Sequence, residues 1–155
     1  MAKGAHVSDV KDLYLQHRTG QDAYTYFLLA AAASALAFAV QKTTDLKLGW
    51  SMAPLGAAAL SWGLSFYFGC KNVTWVQTAL QANLALLQLK SGSHPKQPSH
   101  PQELGAALSG VTQALNHNAE KAYFYANWQF RSLITGGIFF LAWHIAEMYL
   151  RTFAT

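Results

Sequence analysis

His144 and Glu147 stand three residues apart in FFLAWHIAEMYLR, Phe139 to Arg151, a stretch otherwise built of Phe, Leu, Ile, Ala and Trp. On a helix that spacing puts both on one side. An imidazole and a carboxylate so placed could sense protons, line an ion path or ligate a metal. The structural alternative satisfies each locally, the histidine by a hydrogen bond to a neighbouring helix or to Glu147. The glutamate would pair with Arg151 four residues on, or with Gln41 or Lys47 at the same level.

Counting ligands narrows the metal chemistry. A carboxylate di-iron site needs several acids, and Glu147 is the only acid within residues 23–41, 48–70 and 132–150. A bis-histidine haem needs a second imidazole, which only a symmetric dimer would supply. His94 and His100 fall in a proline-rich segment and His117 in an amphipathic one, so these read as solvated, with adventitious metal binding at most. No Ser-His-Asp, P-loop, GxGxxG or HExxH pattern occurs, and the lone Cys70 excludes an intramolecular disulfide and a CxxC motif. The expectation is a protein without enzymatic activity, cofactor or metal centre.

The elements that must position the pair follow from charge. Only 12% of residues are charged and 52% are hydrophobic, against roughly 25% charged in a soluble domain. Uncharged runs occupy residues 23–41 and 48–70, and residues 132–150 carry Glu147 alone. Each run is close to the ~20 residues a helix needs to cross ~30 Å of hydrocarbon. The fold expected is an all-α integral membrane protein with three transmembrane helices at those positions. A cleaved secretory signal ending in AAAASALA is the competing reading of the first run, but residues 1–22 are long for its charged lead. They read better as an N-terminal cytoplasmic amphipathic helix with Val7, Val10, Leu13 and Tyr14 on one face and Ser8 as its N-cap.

Residues 71–130 read as a cytoplasmic antiparallel helical hairpin with a Pro-rich turn at 91–101, SGSHPKQPSHP. One stripe comprises Val73, Val76, Leu80, Leu84 and Leu87, with Thr74, Gln77, Thr78, Gln81 and Gln88 opposite. The other comprises Leu104, Leu108, Val111, Leu115, Ala119 and Ala122, and its helix can continue unbroken into the third span. Two such narrow stripes bury little on their own.

Within the second run Gly49, Ala53, Ala57, Ser61, Ser65 and Gly69 recur every four residues, a small-residue line suited to close helix packing in one subunit or between copies. Ala57→Leu and Ser61→Leu are expected to disturb that packing. Topology follows from Lys and Arg. Lys3, Lys11, Arg18, Lys71, Lys90, Lys96, Lys121 and Arg131 lie on one side, and Lys42, Lys47 and Arg151 on the other. The expectation is an inner or plasma membrane protein with its N-terminus in the cytoplasm and its C-terminus outside.

The formal net charge of +4 is scattered, so nucleic acid is not an expected partner. The partners expected are the lipid bilayer, further copies of the chain, and a cytoplasmic protein at the hairpin. Two spans followed by a long helix look like the layout of small bacterial membrane effector domains proposed to form pores, from which the third span departs. The leading expectation is a self-associating pore or ion-conducting effector, with Ser34, Ser61, Ser65, His144 and Glu147 as candidate pore-lining or proton-sensing residues. A membrane-anchored scaffold is the alternative, and a subunit of a redox or transport complex the third.

Overall fold

The computed structural model describes residues 2–43 and 49–153, with side chains from Thr19 onward apart from that gap. Helices dominate and no strand occurs among the described residues. Helix α1 runs from Ala2 to Thr43, α2 from Ala53 to Ser91 and α3 from Pro101 to Phe153, with a single 3₁₀ turn, Trp50–Met52, before α2. Helix α1 begins at Ala2, so Ser8, the expected N-cap, falls within it. The expected stripe of Val7, Val10, Leu13 and Tyr14, and Lys47 as a partner for Glu147, lie outside the described side chains.

Local chemistry explains where these helices begin and end. Pro54 is the second residue of α2, where a missing N–H costs no helical hydrogen bond. At the other end of α2 Gly92 takes φ +73°. Its N–H reaches Leu89 O at 3.4 Å and the Ser93 N–H reaches Gln88 O at 3.0 Å, the paired bonds of a Schellman stop. Helix α3 starts on Pro101, preceded by His100, whose Nδ1 accepts the Gln102 N–H at 3.3 Å as an imidazole N-cap. Glu103 adds an acid to that first turn, where the helix dipole favours it.

The chain divides into two compact units, residues 1–66 with 132–155, and residues 67–131. In the first, one segment from each helix meets the others, and Ala39, Leu55, Ala58, Trp62 and Trp143 form the buried cluster, flanked by Leu36, Leu133 and Phe140. In the second, α2 and α3 run antiparallel. Asn72 Nδ2 donates to Ala122 O at 2.7 Å, and the Trp75 ring meets His117 at 6.0 Å.

Inward-facing positions repeat in steps of three and four. On α2 they are Leu55, Ala58, Trp62 and Ser65 in the first unit, and Gly69 and Asn72 in the second. On α3 they are Asn118, Ala122 and Gln129 in the second unit, and Gly136, Phe140 and Trp143 in the first. A mean spacing near 3.5 residues keeps a side chain on the same partner turn after turn, as in a coiled coil. Several expected stripe positions therefore face outward. Leu84 and Leu87 are each 57% exposed, Leu86 and Leu89 are buried instead, and Asn118 replaces Ala119 at the contact.

Among the described residues, two helical segments are long and apolar enough to cross a membrane: Thr19–Thr43, and α3, Pro101–Phe153. The run at 48–70 does not join them, since its Gly, Ser, Trp and Tyr dilute its aliphatic content. Only 17% and 11% of the most apolar windows of the two are buried within the chain, whereas a core helix of a soluble protein is mostly buried.

Candidate functional site

The expected His144 and Glu147 site takes its geometry from the α3 seam. Trp143 and Glu147 are four residues apart and continue the inward line, while His144 lies one step off it and is exposed. Its imidazole stacks on Phe140 one turn back, nearly parallel at 7° and with centroids 6.4 Å apart, and contacts Trp143 at a tilt. Glu147 is half-buried and accepts the Arg151 Nε–H at 3.1 Å. The carboxylate thus pairs with the cation four residues on and not with the imidazole. The arrangement separates a partnered anion from a polar ring turned outward, and holds no preformed relay between them.

The remaining candidates do not converge. Ser34 is exposed on α1, and the Ser61 hydroxyl donates to Ala57 O at 2.8 Å, bonding back to its own helix. Ser65 is fully buried. Along the small-residue line Gly49 and Ala53 are exposed, Ala57 and Ser61 half-buried, and Ser65 and Gly69 buried. Geometry accounts for the gradient: four residues advance about 400° around a helix, so the line drifts about 40° per step and only its far end enters the seam.

Close packing also occurs where Trp62 of α2 meets Gly136 of α3. The Trp62 indole lies across α3, its Nε1–H donating to Leu133 O at 3.3 Å, against the bare backbone of Gly136. A Cβ added at Gly136 would stand 2.5 Å from Trp62 ring atoms. Trp143 sits in the same cluster, 6% exposed, and its Nε1–H has no hydrogen-bond acceptor. A three-and-four reading of α2 and α3, in place of the every-fourth-residue search, would have picked out Trp62, Asn72 and Gln129.

The second unit carries a groove of about 600 Å³ lined by Leu86, Lys90, Leu108, Thr112, His117 and Glu120. His94 and His100 are both engaged through Nδ1, which accept the N–H groups of Lys96 and Gln102. Nowhere among the described residues do three or more His, Cys, Asp or Glu side chains gather in a group able to hold a metal ion. No protein-family model, curated protein or solved structure matches this chain.

Proposed function

We propose that this chain is a multi-pass membrane protein that self-associates through its membrane-embedded helices, with residues 71–130 forming a cytoplasmic hairpin that recruits or regulates. The observation that carries the reading is the outer face of α3, where His144 is exposed beside Leu141, Ile145 and Met148, themselves 58%, 66% and 57% exposed. Apolar surface of that extent favours lipid over water. Within it an unpartnered imidazole is costly, and a second copy meeting that face would relieve the cost. In this reading the run at residues 48–70 supplies the third span, with Ser65 and Gly69 of α2 turned inward and Leu60 and Leu64 outward.

The hairpin supports the scaffold form of this function. Its groove mixes Leu86 and Leu108 with Lys90 and Glu120, and Leu84 and Leu87 stay open on the same unit, a surface suited to an amphipathic helix of a partner. The pore form rests on His144 and Ser34 alone, since Ser61 is bonded to its own backbone, Ser65 is packed away and Glu147 is paired with Arg151. We therefore favour the membrane-anchored scaffold and keep the pore as the second reading.

One reconstitution tests both. The mass of the protein in nanodiscs should be at least twice the chain's 17.0 kDa, and His144→Leu should lower the subunit number. A monomer for both proteins contradicts self-association. In liposomes the scaffold form gives no flux above empty vesicles, whereas flux that His144→Leu abolishes would establish the pore.

A further inference from the structure

The second unit holds an unbroken chain of ring contacts with a cation at each end. The Lys71 ammonium lies 5.9 Å from the centre of the Tyr67 ring, and Tyr67 meets Phe68 at 5.7 Å. Phe68 in turn meets Trp128 at 6.3 Å, and the Arg131 guanidinium lies 5.8 Å from the centre of the Trp128 ring. The convergence is built into the helices. Side chains lean toward the N-terminus of their own helix, and α2 and α3 run antiparallel here. Lys71 therefore leans back onto Tyr67 while Arg131 leans back onto Trp128 from the opposite direction, so both cations approach one tier of rings.

Three features distinguish this tier from an ordinary charged surface. Tyr67, Lys71, Trp128 and Arg131 are all exposed, so the rings and charges are open to a ligand. Neither cation is in an ion pair, the one such pair among the described residues being Glu147 with Arg151. The acids of residues 67–131 are Glu103 and Glu120 only, against Lys71, Lys90, Lys96, Lys121 and Arg131. Rings with one apolar face and one wet edge suit the membrane interface, and exposed cations at that depth suit the phosphates of an anionic leaflet.

We propose that the tier bounded by Lys71 and Arg131 binds the headgroups of anionic phospholipids, one at each cation. A lipid phosphate meets Lys71 or Arg131 at either end of the tier, and the first acyl carbons lie on the exposed face of the adjoining ring, Tyr67 or Trp128. The inference rests on the membrane reading above, because it needs this tier at the level of the headgroups.

The test measures unfolding of the full chain in neutral detergent with added phosphatidylglycerol, phosphatidylcholine or inorganic phosphate. Phosphatidylglycerol should raise the midpoint, and the other two should not. Replacing both cations, Lys71→Gln with Arg131→Gln, should weaken the phosphatidylglycerol effect roughly 5-fold in lipid concentration. The charge-keeping exchange Lys71→Arg with Arg131→Lys should preserve it, as should Lys90→Gln with Lys96→Gln, which removes two cations nearer the turn. Should the double glutamine variant fail to fold, the single Lys71→Gln reads the same loss in part. Equal effects of the two lipids, reproduction by inorganic phosphate, a shift that follows protein concentration instead of lipid, or equal loss on removing Lys90 and Lys96 would each overturn the proposal. Failure of the membrane reading looks different, since alkaline carbonate would then release the protein from membranes without detergent.

Discussion

Gly136 shows how a single residue fixes where two helices meet. With only hydrogen on its Cα, α3 admits the flat face of Trp62, and a methyl group there would fall inside the ring's contact distance. Gly136→Ala should destabilise the protein by about 1–3 kcal/mol, because the indole can move only by giving up its bond to Leu133 O. Thermal unfolding in detergent measures this, and a wild-type midpoint would show that Trp62 has room to shift. Trp143 makes the opposite prediction. Its buried indole N–H lacks an acceptor, so Trp143→Phe, which removes the donor and keeps most of the ring, should be close to neutral. A loss above about 2 kcal/mol would mean that the N–H has a partner in the membrane, such as a lipid or a second copy. The pairing of Glu147 with Arg151 was legible in the sequence because i,i+4 spacing on one helix fixes both ends. The outward turn of His144 was not legible, since it depends on where Trp143 packs, a fact of tertiary contact.

At the level of the elements, the helices and the turn between α2 and α3 could be read from local chemistry alone. Apolar runs, a proline at a helix start, and Gly92 within SGSHPKQPSHP each act over a few residues. Which face of each helix is buried could not be read so simply. An every-fourth-residue line such as Gly49 to Gly69 drifts around its helix, whereas the packed line alternates three and four. Polar seam residues such as Asn72 and Gln129 also hide among neighbours of like polarity. The stop at Gly92 offers a clean element-scale test, because nothing lies within 4 Å of an added Cβ and the penalty is purely conformational. Gly92→Ala should cost about 1 kcal/mol through its left-handed φ of +73°. Hydrogen exchange at Leu86 to Lys90 should rise accordingly. Unchanged exchange would show that the α2 terminus is held by something other than its Schellman bonds.

For the whole molecule, the central claim is that α1, α2 and α3 each cross the bilayer. Helix α2 is the decisive one, since residues 48–70 are less apolar than the segments of α1 and α3 that are long and apolar enough to span. Its participation inverts the sidedness of everything after it. Single cysteines introduced at Ser99, in the turn between α2 and α3, and at Thr152, in the last turn of α3, report on this after Cys70 is replaced. Both positions are exposed within the chain. Labelling intact cells with a membrane-impermeant thiol reagent is therefore the most direct measurement. Three crossings from a cytoplasmic N-terminus predict modification at position 152 and protection at position 99 until the cells are opened. Modification at 99 with protection at 152 would mean that α2 does not cross from a cytoplasmic N-terminus, and would contradict the account.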